Sequence, residues 1–102
     1  MNQKQLAENL KNPVFAVVYE AVKAFSRRER RTDDFRIWLW YCHRIGYNTL
    51  LQQMIELEQE MATNRLEGRA QVRNPAALFH RRLKEIYLFH FRENNINPRR
   101  NP

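Results

Sequence analysis

The stretch from residue 34 to residue 45, DFRIWLWYCHRI, constrains the fold more than any other part of the chain. It holds both tryptophans, the single cysteine and five other large apolar residues in little more than three helical turns. At helical spacing its broad apolar face consists of Phe35, Trp38, Leu39, Cys42 and Ile45. The apolar residues outside this face are Ile37, Trp40 and Tyr41. Because such a helix cannot leave one side in water, it is predicted to be central or to meet a partner.

The composition of the whole chain favours helices. The 102 residues are 43% hydrophobic and 12% aromatic, which is enough for one packed core. There are two glycines, one serine and no alternating apolar and polar run of strand length. The sequence therefore predicts an all-α fold, a compact four-helix domain with a central aromatic-rich helix. The helices are expected at residues 13–30, 33–45, 49–63 and 75–92.

Local start and stop signals support these bounds. Asn-Pro dipeptides stand at 12–13 and 74–75, where asparagine can cap free amides and proline suits the first helical position. Thr32 is predicted to cap the second helix and Gly46 to end it. One residue of the pair 48–49 is expected to cap the third helix.

The two ends of the chain differ from the middle. Residues 1–11 are polar and are expected to form a loose lead-in or a short amphipathic turn, and residues 12–92 a single helical domain. The basic tail, 93–102, is rich in turn residues and is predicted to be disordered. A signal peptide and an apolar run long enough to cross a bilayer are both missing from the sequence, so we expect a soluble cytoplasmic protein with no membrane partner.

Charge is the main indication of function. The net charge is +7, and fourteen of the eighteen basic residues are arginines. The planar guanidinium group binds phosphate or carboxylate oxygens in pairs. Either nucleic acid, DNA or RNA, or an acidic protein is therefore the expected partner.

Arginines occur in clusters along the chain. The predicted phosphate contacts are Arg27, Arg28, Arg30, Arg31, Arg69, Arg73, Arg81 and Arg82. A structural alternative applies to the first four, since positive charge near a helix C-terminus is stabilised by the helix dipole. In that case the cluster would only end the first helix.

The third predicted helix has the opposite charge. No basic residue lies between Arg44 and Arg65, whereas Glu56, Glu58 and Glu60 fall within the helix. The glycine-containing link before it gives the outline of a helix-turn-helix, but phosphates would repel a recognition helix with three glutamates. Its exposed face is therefore expected to point away from any nucleic acid.

The sequence provides little for catalysis or metal binding. Ser26 lies in an arginine run without a nearby histidine, and Cys42 and His43 point about 100° apart on a helix. None of His43, His80 and His90 is paired with another at helical spacing. We therefore expect no enzyme, no metal and no cofactor, a buried thiol at Cys42, and a half-buried core histidine at position 90.

The aromatic residues have three interpretations. They form the core by default. Some of them could instead stack on unpaired bases if exposed beside arginines, namely Tyr41, Tyr47, Tyr87 or Phe91. Ile37 and Trp40 could form a homodimer contact. Together these patterns favour a small basic non-enzymatic nucleic-acid-binding or regulatory protein, and the alternative is a helical adaptor whose basic face docks on an acidic protein.

Overall fold

The protein is built from helices that follow one another closely along the chain. The computed structural model describes residues 2–92, with side chains as far as His90, and contains no strand within them. In order, the elements are α1 (Gln3–Asn9), α2 (Pro13–Phe25), a 3-10 turn (Arg28–Arg30), α3 (Arg31–Ile45), α4 (Tyr47–Leu66), α5 (Pro75–Ile86) and a π-helical turn (Tyr87–Arg92). The all-α prediction is confirmed, but the four-helix count omitted α1.

Helix α3 is the centre of the fold, as its composition predicts. It contacts α2, α4, α5 and both turns. Trp38, Cys42 and Ile45 are buried on its predicted inner face, with Phe35 and Leu39 packed at the edge of the core. The remaining helices surround this face with apolar stripes that the sequence periodicity predicts. Their buried members are Val18, Ala21, Val22, Phe25, Leu50, Met54, Leu57, Phe79 and Leu83.

Helix α2 is shorter than predicted and ends at Phe25 instead of residue 30. Ser26 adopts an extended backbone, and its hydroxyl group lies 2.6 Å from Oδ2 of Asp34. Serine competes with the helix for hydrogen bonds, so it favours such chain breaks. The arginines that follow therefore do not extend α2. They lead into α3, which starts at Arg31 rather than at residue 33.

The connection between α3 and α4 is a single residue. Gly46 has a φ of 94° and a ψ of 148°, and it ends α3 and precedes α4 at once. Because α4 begins at Tyr47, neither residue of the pair 48–49 caps it. The link is also shorter than the three to four residues typical of a helix-turn-helix. Thr32, likewise, lies inside α3 and is not its cap.

The chain ends of the fold differ in two ways from the sequence prediction. The polar lead-in contains α1, which Asn2 and Gln5 start with a reciprocal capping box. At the other end, the predicted helix to residue 92 changes from α to π geometry after Ile86. His90 is exposed there, so the prediction of a half-buried core histidine is wrong. The predicted basic tail, 93–102, lies outside the described residues.

Candidate nucleic-acid interface

Four of the predicted contact residues lie together where the chain enters α3. This arginine quartet consists of Arg27, Arg28, Arg30 and Arg31. All four side chains are exposed, and none forms an ion pair with a carboxylate among the described residues. The quartet does not form the end of α2, which stops at Phe25, but lies between the C-terminus of α2 and the N-terminus of α3. The dipole of α3 disfavours positive charge there, and Asp33 and Asp34 in the first turn offset only part of it.

A groove with a volume of about 560 Å³ separates the quartet from α5. Arg27, Arg30 and the carboxylate of Asp34 line it on the α3 side, and Asn74 and His80 line it on the α5 side. The side chain of Asn74 caps α5 by accepting a hydrogen bond from the backbone of Ala77 at 3.1 Å. The positive end of the α5 dipole thus faces the same groove as two guanidinium groups. Arg73 directly precedes Asn74 in the chain and has no ion pair within residues 2–92.

The other three predicted contact residues are held by carboxylates of the same chain. These paired arginines are Arg69, Arg81 and Arg82. Their guanidinium nitrogens lie 2.8 Å from Glu67, 3.8 Å from Glu85 and 2.7 Å from Glu60, respectively. A phosphate would have to compete with these carboxylates. The structure therefore separates the eight predicted residues into five without an ion pair among residues 2–92, the quartet and Arg73, and three with one. Glu29, Asp33 and Asp34 lie beside the quartet but form no ion pair with it.

The outer face of α3 carries a second cluster, of which the sequence analysis named Ile37 and Trp40 as a homodimer contact but not the arginines beside them. Ile37 and Trp40 are exposed there by 36% and 42%, and Arg36 and Arg44 are exposed beside them. The guanidinium carbon of Arg44 lies 3.6 Å from the centroid of the indole ring of Trp40. Its Nη1 donates a 3.0 Å hydrogen bond to the carbonyl of Trp40. The signal in the sequence was a tryptophan followed by an arginine four residues later.

Two of the residues proposed for base stacking, Tyr41 and Tyr87, already pack against Trp40 and against each other. Tyr41 is buried, and both burial and the neighbouring Tyr87 raise its pKa, burial having the larger effect. The rings of Tyr41 and Tyr87 each lie 5.1 Å from the ring of Trp40, edge to face. Tyr47 is 38% exposed, and the side chain of Phe91 lies outside the described residues. Among the three packed rings of Trp40, Tyr41 and Tyr87, that of Trp40 is therefore the exposed one.

A second, apolar groove of about 430 Å³ runs between α1, α2 and α3. Leu6, Phe15 and Phe35 form its walls, with the two phenyl rings 4.9 Å apart. Arg31 and Arg36 stand at its rim. Because Arg31 belongs to the quartet, this groove places an apolar surface beside the quartet. Such a combination would suit an amphipathic ligand.

Cys42 is buried, as predicted, and burial raises the pKa of its thiol, so the reactive thiolate is disfavoured. No group of three or more histidine, cysteine, aspartate or glutamate side chains within residues 2–92 is placed to hold a metal ion. Among the helices described, none has the length and apolarity required to span a bilayer.

Comparisons with known protein families, with curated proteins and with solved structures find no match for this chain. The class of the protein therefore has to be inferred from its fold and its surface. It is an all-α protein whose central helix is preceded by a cluster of arginines without ion pairs among the described residues.

Proposed function

We propose that this protein is a non-enzymatic nucleic-acid-binding protein that contacts backbone phosphates through the arginine quartet. The observation that carries the proposal is the position of these arginines at the N-terminus of α3, without ion pairs in the described structure. Four cations beside the positive end of a dipole repel one another and do not stabilise the fold. A polyanion would relieve this repulsion.

The groove beside the quartet supports phosphate as the bound group. Arg27 and Arg30 present planar donors that suit a tetrahedral anion, and the start of α5 adds the positive end of a second helix dipole. A phosphodiester chain that crosses the groove would also pass near Arg73. Nucleic acid combines this chemistry with a repeated charge, which suits several arginines in a row.

The salt dependence of binding tests this proposal. Each phosphate contact releases counterions, which adds about −0.9 to the slope of log affinity against log salt concentration for duplex DNA. Replacement of Arg27, Arg28 and Arg30 by glutamine should flatten this slope by about two to three units. The matched control replaces the paired arginines, Arg69, Arg81 and Arg82, by glutamine. The control lowers the net charge by the same amount. Because its three arginines are paired with carboxylates, its slope should change by less than about one unit.

Two results would overturn the proposal. Equal changes of slope in the two triple variants would mean that net charge, and not the quartet, determines binding. A failure to bind duplex DNA, single-stranded DNA or RNA at about 50 mM salt, where electrostatic attraction is strong, would exclude nucleic acid altogether. The basic surface would then serve an acidic protein, whose apolar side chains have a docking place in the groove between α1, α2 and α3.

A further inference from the structure

We propose that Trp40 and Arg44 form a stacking platform for an unpaired base, so that the preferred ligand is single-stranded nucleic acid. This inference rests on the proposed function and specifies its ligand. Single-strand-binding proteins combine a basic groove that follows the backbone with exposed flat groups on which bases stack. Both parts are present on adjacent surfaces of α3.

The first argument is that the platform is already assembled. Arg44 lies 3.6 Å over the indole ring of Trp40, and its Nη1 is hydrogen-bonded to the Trp40 carbonyl at 3.0 Å. The guanidinium group is therefore held flat before any ligand arrives. Bases stack on guanidinium planes as well as on aromatic rings. Binding would not have to restrict a mobile arginine side chain, which lowers its entropic cost.

The second argument is that two neighbouring aromatic rings hold the indole ring of Trp40 in place. The rings of Tyr41 and Tyr87 contact it edge to face, each at 5.1 Å between ring centroids. Trp40 nevertheless remains 42% exposed, whereas Trp38 is fully buried. A ring that is held in place and partly exposed needs little further ordering when a base stacks on it.

The third argument is that Trp40 and the phosphate groove are neighbours, because both border Ile37. Ile37 lines the groove that contains Arg27 and Arg30, and it also lines the cleft formed by Arg36 and Trp40. A backbone in the groove can therefore place a base over the platform. Duplex DNA keeps its bases stacked inside the helix, so only an unpaired strand can make this contact.

A second copy of this chain is a less suitable occupant. In a two-fold symmetric contact the same patch is used by both copies, so the two basic patches that contain Arg36 and Arg44 would be brought together. Neither arginine has an ion pair within residues 2–92 that would offset this repulsion. The charge of the surface favours a polyanion over a homodimer.

The test compares a single-stranded oligothymidine of about 16 nucleotides with a duplex of the same length, at one salt concentration. The protein should bind the single strand more tightly. Tryptophan fluorescence should be quenched on binding, because the exposed indole is that of Trp40. Replacement of Trp40 by alanine should weaken single-strand binding about tenfold and leave duplex binding unchanged. Circular dichroism establishes that the variant remains folded.

Arg44→Lys provides an independent variant, since it keeps the charge but removes the planar group. It should weaken single-strand binding several-fold, whereas the matched exposed arginine in Arg65→Lys should have no effect. Unchanged single-strand affinity in Trp40→Ala and Arg44→Lys would overturn the inference. So would a dimer in light scattering that Trp40→Ala dissociates. Loss of the single-strand preference alone leaves the proposed function intact, whereas absence of all nucleic-acid binding would overturn both.

Discussion

The indole ring of Trp38 meets the phenyl ring of Phe79 almost at right angles, with 4.8 Å between the ring centroids. Both side chains are fully buried, and Phe79 also contacts Phe25 at 5.0 Å. These three rings join α3, α5 and α2 in the middle of the core. Nε1 of Trp38 is buried and has no hydrogen-bond acceptor among the described residues. The packing of this ring in the core therefore outweighs the free-energy cost of leaving its N–H group without an acceptor.

Replacement of Trp38 by alanine should remove most of the stability of the protein. Truncation of a buried tryptophan costs about 3–5 kcal/mol, a large part of the total for a domain of this size. Urea denaturation followed by circular dichroism measures the loss. Trp40→Ala, at an exposed position, serves as the control and should retain a folded protein. If Trp40→Ala proved the more damaging change, the assignment of the inner face of α3 would be refuted.

Replacement of Gly46 by alanine should destabilise the protein by about 1–3 kcal/mol. Its φ of 94° and ψ of 148° lie in a region that side-chain-bearing residues rarely adopt. Beyond the adjoining residues, a Cβ atom at this position would contact nothing within 4 Å, so the cost arises within the local backbone and not from clashes with other helices. The control is Gly68→Ala, at a φ of 68° that is close to the left-handed helical region, which should cost about 1–2 kcal/mol. Equal thermal stability of Gly46→Ala and the natural protein would contradict this account.

The ion pair between Arg82 and Glu60 should contribute little to stability although it links α5 to α4. The two side chains are 26% and 45% exposed, so water and salt screen their attraction. Glu60→Gln should therefore lower the free energy of unfolding by less than about 1 kcal/mol, and by less still at high salt. Chemical denaturation at two salt concentrations measures both effects. A salt-independent loss of several kcal/mol would mean that the pair is effectively buried.

Stability should decline as the pH rises above about 9. Burial raises the pKa of Cys42 and of Tyr41, so the folded protein favours the neutral form of both groups. Their contribution is therefore complete below the pKa of the unfolded groups and is lost as the pH rises through the folded values. Melting temperatures of the natural protein and of Cys42→Ala between pH 7 and about pH 11 measure it. The variant should show a smaller alkaline decline, and an identical decline would exclude Cys42 as a cause.

Much of the candidate site was not predictable from the sequence because it depends on which groups meet across helices. Clustering along the chain indicated eight arginines as equivalent contacts, yet Arg82 reaches Glu60 from a position 22 residues along the chain. The groove between Arg27 and His80 likewise requires α5 to pack beside the start of α3. The exposed stack of Trp40 and Arg44 was within reach of sequence reasoning, because the two residues are one helical turn apart.

The sequence by itself determined most of the residues that enter the core, although it placed Tyr41, which is buried, outside the inner face of α3. The stripes that include Val18, Leu57 and Leu83, and the burial of Trp38, follow from apolar residues repeated at helical spacing, a local property that every fold of these helices must satisfy. Only the tertiary structure decided where α2 ends and what the arginine quartet faces. The hydrogen bond between Ser26 and Asp34 forms where α2 and α3 pack together, and the quartet lies in the connection that leads into α3 instead of continuing α2.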